Sequence, residues 1–237
     1  MRLKSFMVLS LLGLSFLTVA ATREVPSDDE SLVLRISQSA VRLVTSDERP
    51  AGSGSFVHIN DRFGILTNDH VCALYKDRVA HVLIHSQGNV HITAPILASS
   101  VEADLCFIPL PKSLLATFTP LHLKIFTFPF SRILIMGYPM SGPLTPSFGH
   151  ILIRAIVDVA VPETKGCPKI VEGFFGKYCI QSEELELTNC YTFPGNSGSP
   201  AVDMDGNLVG VLNSGNGDTH YGNIIPGDRI LAFFKGI

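Results

Sequence analysis

Charged side chains are scarce in this chain of 237 residues, and they form no basic run. Asp, Glu, Lys and Arg together make up 16% of the sequence, and the formal net charge is −3. Proteins that bind nucleic acid carry a concentrated positive patch, so nucleic acid is not an expected partner. The hydrophobic fraction of 46% is also far from the composition of disordered chains. Composition therefore predicts a folded domain that does not bind nucleic acid.

Beyond the first residues, the chain has no apolar run long enough to cross a bilayer. The start is basic, and the short apolar stretch that follows ends in Val19-Ala20-Ala21. A basic start, a short apolar core and a small-residue exit are typical of a secretory signal peptide, which we predict for residues 1–21. The alternative is a membrane anchor, for which the stretch is short. We therefore expect a secreted or periplasmic protein without stable membrane insertion.

The five cysteines include no closely spaced pair of the kind found in zinc sites, and we predict no metal or cofactor. Export permits disulfides, but an odd number leaves one thiol unpaired or pairing between chains. Cys167 and Cys179 flank a loop and could pair, with Cys190 as a rival partner for either. Cys72 and Cys106 have apolar neighbours, and we expect them to be small buried hydrophobic residues.

Short β-like runs separated by turn residues, such as Asn60-Asp61, repeat along the chain. Many short strands at close spacing indicate a sandwich or a barrel rather than a parallel sheet with crossover helices. The one convincing helix covers Asp228 to Lys235, near the end of the sequence. The polar segment from Thr22 to Glu30 is expected to be loose.

One turn, Pro194-Gly195-Asn196-Ser197-Gly198-Ser199-Pro200, suggests a chemistry. It places Ser197 among small residues just before an apolar strand. Such a turn can present a nucleophilic hydroxyl and direct backbone N–H groups at one point beside it, as acyl transfer requires. An ordinary surface loop has the same composition, so the interpretation depends on a base and an acid elsewhere in the chain.

His70 is the candidate base, because it follows an apolar strand and histidine titrates close to neutral pH. Asp104 is the candidate acid. It opens the apolar strand that begins at Leu105, where a carboxylate needs a donor such as an imidazole N–H. Asp69 competes for this role, but its side chain is expected to point away from the ring of its neighbour. The other seven histidines have no supporting context.

These motifs, in the order His, Asp, Ser, resemble those of the chymotrypsin-fold serine peptidases. The matching segments are Ile65 to Val71, Asp104-Leu105, the turn around Ser197, Gly206 to Asn213 and Gly222 to Pro226. The resemblance is closest to the bacterial trypsin-like branch that contains HtrA-like and glutamyl-endopeptidase-like enzymes. We expect no PDZ domain.

The resemblance implies an all-β fold of two antiparallel six-stranded barrels with a short C-terminal helix. The N-terminal barrel would cover residues 22–112, a connector would cover 113–130, and the C-terminal barrel with its helix would cover 131–237. Together they would form one peptidase domain, with the active site in the crevice between the barrels.

The resemblance also implies a role for each motif residue. Ser197 would be the nucleophile, His70 the general base and Asp104 the orienting carboxylate. The amides of Gly195 and Ser197 would form the oxyanion hole. The residues assigned to the primary specificity pocket are Tyr191 at its base and Asn213, Ser214 and Gly215 on its walls. No carboxylate is placed there, so a preference for basic side chains is not expected.

Two departures from the family pattern concern activation. Asn196 stands where digestive enzymes have an aspartate that pairs with a newly cleaved N-terminus, and no Ile-Val-Gly-Gly-like sequence follows residue 21. We therefore predict no zymogen cleavage of that type. The predicted function is that of a secreted serine endopeptidase acting on proteins or peptides. The alternatives are a catalytically silent binding protein of the same fold and an esterase that uses the same triad.

Overall fold

The computed structural model describes residues 27–84, 88–162, 170–173, 176–216 and 221–237, which are mostly β. The strands are β1 (Ala40–Val44), β2 (Pro50–Ile59), β3 (Arg62–Thr67), β4 (Val79–Ile84), β5 (Val90–Pro95), β6 (Ala98–Ser100), β7 (Leu105–Pro109), β8 (Arg132–Gly137), β9 (Thr145–Pro162), β10 (Ile170–Gly173), β11 (Gly176–Thr188), β12 (Pro200–Asp203), β13 (Leu208–Asn216) and β14 (Tyr221–Pro226). The helices are α1 (Asp28–Ser37), α2 (Asp69–Cys72) and α3 (Gly227–Lys235), with short 3-10 turns at Lys112–Leu114 and Pro139–Ser141. None of these helices has the length and apolar character needed to span a membrane.

The first sheet, in the order β5-β4-β1-β2-β3-β7-β6, curls into a barrel that closes through one bent segment. Its edge strands, β5 and β6, are consecutive in the chain. At the corner between them, the Ile96 N–H donates to the carbonyl of Arg78, which precedes β4. The next amide, that of Leu97, donates to the carbonyl of Phe107 in β7. One strand segment thus pairs with both sides of the barrel.

The second sheet closes by strand pairing alone. Its order is β10-β11-β14-β13-β12-β8-β9, and β11 also pairs with β9, so that six strands form a ring from which β10 extends. Buried aliphatic side chains of β8, β9, β12, β13 and β14 fill part of its interior. The two barrels confirm the all-β, chymotrypsin-like fold predicted from the sequence.

The connector between the barrels pairs with both of them. Leu121 forms a parallel bridge with Val57 of β2, and Leu123 forms one with Leu208 of β13. Both leucine contacts are made within three residues of chain. The connector therefore fixes the barrels relative to each other along the interface at which residues from both can meet.

The predicted C-terminal helix is present as α3, and it adds a second link between the barrels. Its buried residues include Ile230, Phe233 and Phe234. The ring of Phe234 meets that of Phe107 in β7 edge to face, with 5.0 Å between the centroids. Full burial of a phenylalanine side chain contributes roughly 1.5–3 kcal/mol, so this contact helps to hold the helix that follows the second barrel against the first.

Helix α1 lies where the sequence analysis led us to expect loose chain. A capping box begins it: the Ser27 hydroxyl accepts from the Glu30 N–H at 3.2 Å, and the Glu30 carboxylate accepts from the Ser27 N–H at 2.9 Å. The expectation of a loose segment from Thr22 to Glu30 is therefore wrong for residues 28–30, and residues 22–26 lie outside the described ranges. The Ser-x-x-Glu spacing is itself a helix-start signal.

Candidate active site

His70 lies where β3 ends and the single turn of α2 begins. Asn68 caps this turn in an extended conformation, and its side-chain amide donates to the backbone carbonyl of Asp104 at 3.1 Å. The His70 side chain is 32% exposed, so part of the ring is open to solvent while the rest is packed. A general base needs this combination of a fixed ring and an accessible nitrogen.

Asp104 is 2% exposed, and its carboxylate accepts three hydrogen bonds. The donors are the His70 backbone N–H at 3.0 Å, His70 Nδ1 at 2.9 Å and Asn213 Nδ2 at 2.8 Å. Because a carboxylate can only accept, Nδ1 carries the proton and Nε2 is the acceptor nitrogen of the ring. The pair is thus arranged as a proton-accepting imidazole backed by a negative charge.

Asp69, the competing carboxylate, makes its contacts elsewhere. Its side chain is hydrogen-bonded with Ser99, and burial raises the pKa of its carboxyl. Asp104 is therefore the carboxylate that the structure brings to the ring of His70.

A disulfide joins the segments that carry His70 and Asp104. Cys72 and Cys106 each follow one of these residues by two positions, and their Cα atoms are 6.4 Å apart. The expectation that both are unlinked buried hydrophobic residues is wrong, because α2 and β7 bring the two thiols within bonding distance. Among the other cysteines, Cys179 is disulfide-bonded, Cys190 is a buried free thiol and Cys167 lies outside the described residues.

The serine turn, residues 194–200, has a backbone that favours glycine at two positions. Gly195 and Gly198 have φ values of 94° and 84°, in the region that side chains rarely adopt. A Cβ atom at Gly195 would also lie 2.6 Å from the carbonyl oxygen of Tyr138. The Gly198 N–H donates to the carbonyl of Leu212 at 2.9 Å, which holds the turn against β13.

Asn213 connects the serine turn with the buried carboxylate. Its side-chain amide Nδ2 donates to Asp104 Oδ2 at 2.8 Å, and its backbone carbonyl oxygen accepts from Ser197 Oγ at 3.4 Å. Asn213 is predicted to lie on a wall of the specificity pocket, and its side chain donates to Asp104, a contact for which the sequence carries no signal. Asp104 and Ser197, which belong to different barrels, therefore meet at this one residue.

Two amides of the serine turn are unused in the described part of the chain. Neither the Gly195 N–H nor the Ser197 N–H donates to a backbone acceptor there. The carbonyl of Pro194 accepts from the Met140 N–H at 2.6 Å. Because a trans peptide directs its C=O and N–H to opposite sides, the Gly195 N–H points away from Met140. Two unused donors beside a serine hydroxyl are suited to bind a negatively charged oxygen.

Thr192, which no sequence motif singles out, packs against Gly215 and Gly222, two paired glycines of β13 and β14 in the predicted pocket region. Its side chain is 1% exposed, and its hydroxyl donates to the carbonyl of Tyr221 at 3.3 Å. A Cβ atom at Gly215 would overlap the Thr192 hydroxyl, and a Cβ atom at Gly222 would lie 2.8 Å from the Thr192 methyl group. Thr192 therefore covers one face of this glycine pair.

The other predicted pocket residues are placed as follows. Tyr191 is 55% exposed at the surface. The Ser214 hydroxyl accepts from Asn223 Nδ2 at 2.9 Å, and Gly215 contacts Thr192. Successive side chains of an extended segment point in opposite directions, so an error of one position exchanges a buried residue for an exposed one. That alternation is the signal that could have identified Thr192.

Solved structures share this fold. The active form of the Rv3671c protease from M. tuberculosis has a TM-score of 0.67 at 17% identity, covering 99% of this chain and 93% of that one. The serine endoprotease from Yersinia pestis has a TM-score of 0.64 at 20% identity, covering 90% of this chain and 67% of that one. The HtrA-type protease AlgW with tripeptide has a TM-score of 0.64 at 23% identity, covering 90% and 64%.

Most of the chain also matches the profile of a known sequence family. A search of curated protein sequences finds no match. The profile described as "Trypsin-like peptidase domain", however, matches residues 52–211, a span that contains His70, Asp104 and Ser197. The chain therefore belongs to the trypsin-like peptidase family and is a serine-type endopeptidase.

Proposed function

We propose that this protein is a secreted endopeptidase that hydrolyses peptide bonds through an acyl-enzyme formed on Ser197. The observation that carries the proposal is the contact of His70 Nδ1 with the buried Asp104 carboxylate at 2.9 Å. This contact fixes the ring tautomer in which Nε2 accepts a proton. Asn213 supports the assignment, because it connects this pair to the serine turn.

In the proposed reaction, His70 Nε2 takes the proton of Ser197 Oγ while that oxygen attacks the carbonyl carbon of the substrate. The carboxylate of Asp104 stabilises the imidazolium, which then gives the proton to the leaving amine, so that the C–N bond breaks and an ester remains on the serine. A water molecule, deprotonated by His70, attacks this ester and releases the acid product with regeneration of Ser197.

The amides of Gly195 and Ser197 would bind the oxygen that becomes negative during both attacks. In both steps the carbonyl oxygen of the substrate gains charge, and fixed N–H donors stabilise that charge without having to reorganise. The support for this assignment is that neither amide donates to a backbone acceptor among the described residues.

Thr192 limits the proposed primary pocket to small side chains. It covers one face of the Gly215–Gly222 pair, where we expect the side chain preceding the cleaved bond to enter. Thr192 and the two glycines carry no charge, so these three residues offer a cationic substrate side chain no partner. We propose that alanine-sized residues are accepted there and that large aromatic residues are not.

Secretion is supported by two independent features. The first 21 residues have the pattern of a signal peptide. The Cys72–Cys106 disulfide is the kind of cross-link that persists in an oxidising compartment and is rare in the cytosol.

The test of the proposed function is Ser197→Ala, with Ser199→Ala as the matched control from the same turn. We expect Ser197→Ala to lower turnover of casein by at least about 10³-fold and to abolish labelling by a fluorophosphonate probe, with an unchanged circular dichroism spectrum. Ser199→Ala should still be labelled. Equal casein turnover by the wild type and Ser197→Ala would contradict the proposal.

The same assays separate the two alternatives. A silent binding protein would not react with the probe in its wild-type form. An esterase would react with the probe and hydrolyse small esters, but it would not cleave peptides of the same sequence.

A further inference from the structure

Ser53 in β2 is a residue of the first barrel whose polar atoms are engaged with the serine turn of the second. The side chain is fully buried. Its backbone N–H donates to the carbonyl of Ser197 at 2.8 Å, and its hydroxyl donates to the carbonyl of Gly195 at 2.8 Å. The hydroxyl also accepts from the Tyr138 N–H at 3.0 Å. One serine thus connects β2, the serine turn and the segment that follows β8.

The position of Ser53 is itself fixed. Its carbonyl accepts from the Thr67 hydroxyl at 2.7 Å, in the last residue of β3 before the segment that carries His70. Gly198 has its backbone close against both this carbonyl and the Thr67 side chain. The hydroxyl of Ser53 therefore projects from a rigid part of the first barrel.

The Gly195 N–H belongs to the peptide unit that contains the Pro194 carbonyl, and the next peptide unit contains the Gly195 carbonyl. The unit before Gly195 is held through the Pro194 carbonyl, which accepts from the Met140 N–H. The unit after it is held through the Gly195 carbonyl, which accepts from Ser53 Oγ. Glycine has wide backbone freedom, so without these two contacts the amide could turn away from the reacting oxygen.

The side chain of Asn196 does not supply this restraint. It is uncharged and 5% exposed, and its amide oxygen has no hydrogen-bond partner among the described residues. A buried ion pair at this position is therefore excluded, and the side-chain restraint that the structure does provide on the turn comes from the first barrel.

We propose that Ser53 is a positioning residue that holds the Gly195 amide in the oxyanion-binding orientation. The inference rests on the proposed function, because it assigns a role in stabilising the negatively charged oxygen. Ser53 does not touch the substrate. It acts through Gly195, and its loss should weaken transition-state stabilisation while leaving substrate binding in place.

Ser53→Ala is the test, and Ser55→Ala is its matched control. Ser55 lies two residues further along the same strand and is equally buried, but its hydroxyl has no hydrogen-bond partner among the described residues. Loss of one oxyanion donor lowers kcat by about 10²–10³-fold in well-studied peptidases. Ser53→Ala keeps the Gly195 amide but removes the hydroxyl that positions it. We therefore expect kcat to fall by about 10- to 100-fold in Ser53→Ala, with KM changed by less than about threefold.

Two further measurements distinguish positioning from a purely structural role. A peptide aldehyde forms a tetrahedral adduct that carries the negative oxygen, so its inhibition constant should rise in parallel with the loss of kcat in Ser53→Ala. The threonine and valine side chains have nearly the same volume, but only the threonine of Ser53→Thr carries a hydroxyl. We expect the threonine variant to be at least about tenfold more active than the valine variant, whatever stability both lose to the added methyl group.

Different results would contradict the role of Ser53 and the proposed function. A wild-type protein that neither hydrolyses peptides nor reacts with a fluorophosphonate contradicts the proposed function. If the wild type is active and Ser197→Ala is inactive, then equal kcat values in Ser53→Ala and Ser55→Ala overturn the role of Ser53. Equal activities of Ser53→Thr and Ser53→Val also overturn the role of Ser53. A fall in kcat of Ser53→Ala that is fully explained by its fraction of unfolded protein overturns this role as well.

Discussion

The two halves of the active site are held in different ways. On the first barrel, His70 and Asp104 contact each other directly, and a disulfide joins their segments two residues beyond each. On the second barrel, Ser197 lies in a turn that hydrogen bonds hold in place, two of them donated by Ser53 of the first barrel. The proposed base and acid thus contact each other within one barrel, whereas the proposed nucleophile lies in a turn that is held by contacts with both barrels.

This difference sets the order in which the site should lose its structure. A covalent cross-link survives local opening, whereas each hydrogen bond contributes only about 0.5–1.5 kcal/mol net. The contacts between Ser53 and the turn are made across the interface of the barrels. A disturbance of that interface should therefore misplace the serine turn while the His70–Asp104 pair remains intact.

The largest expected effect comes from removing the disulfide with Cys72→Ala and Cys106→Ala together. The cross-link closes a loop with a sequence separation of 34, for which chain entropy gives about 3–4 kcal/mol. We expect the free energy of unfolding, measured in urea, to fall by this amount. The kcat of the folded variant should stay within about threefold of the wild type, because direct hydrogen bonds still join His70 and Asp104.

Cys190→Ala is the control for this measurement. It also deletes a buried sulfur, but one that forms no disulfide, so it should cost only about 1 kcal/mol. If the double variant loses its activity while its circular dichroism spectrum stays native, the disulfide is needed to position His70. The direct hydrogen bonds between His70 and Asp104 would then not be sufficient.

A smaller effect concerns the pocket of the second barrel. Thr192→Gly should open the space over the Gly215–Gly222 pair and raise kcat/KM for substrates with leucine before the cleaved bond, relative to alanine, by about tenfold. Thr192→Val keeps the volume, removes only the hydroxyl bond to Tyr221 and should keep the wild-type preference. An unchanged leucine-to-alanine ratio in Thr192→Gly would show that this threonine does not set the size limit.

The smallest effect is expected at Glu186 in β11, away from the catalytic residues. Its carboxylate is 6% exposed and accepts from the Thr127 hydroxyl. Burial raises the pKa of this carboxyl, an effect that the hydrogen bond from Thr127 partly opposes. A raised pKa means that the folded protein binds the proton more tightly than the unfolded chain, so the ionised form reduces stability at neutral pH.

Glu186→Gln should therefore raise the free energy of unfolding at pH 7 by no more than about 1 kcal/mol. The gain should shrink as the pH falls through the raised pKa and Glu186 becomes protonated in the wild type. Glu184→Gln, which changes an exposed carboxylate on the same strand, should alter stability by less than about 0.5 kcal/mol at either pH. A gain for Glu186→Gln that does not depend on pH would contradict the assigned cause.

The pairing of His70 with Asp104 was more predictable from the sequence than the contacts that surround the pair. His70 and Asp104 were recognisable because each follows or opens an apolar strand, where a polar side chain needs a reason to be present. The predicted pairing of His70 with Asp104 also indicates the disulfide, because Cys72 follows His70 by two residues and Cys106 follows Asp104 by two residues. The cysteines were misjudged because apolar neighbours are equally compatible with a buried thiol and with a buried cross-link.

Other contacts could not be predicted, because they depend on how separate strands meet. The donation from Asn213 to Asp104 joins residues 109 positions apart, and no local pattern marks it. The burial of Thr192 beside the exposed Tyr191 was missed for a different reason, since a shift of one residue in an extended segment reverses which side chain faces inward. Helix α1 was overlooked although its capping box can be read directly in the sequence.

The buried thiol of Cys190 has a consequence for the fidelity of the cross-links. Disulfide exchange proceeds through attack by a thiolate, and burial raises the pKa of Cys190 to about 11. At neutral pH this sulfur is both protonated and inaccessible, so in the native state it cannot attack the Cys72–Cys106 bond. Under the proposed secretion, the chain could thus carry this free cysteine through an oxidising compartment without disulfide exchange, provided that the second barrel stays closed.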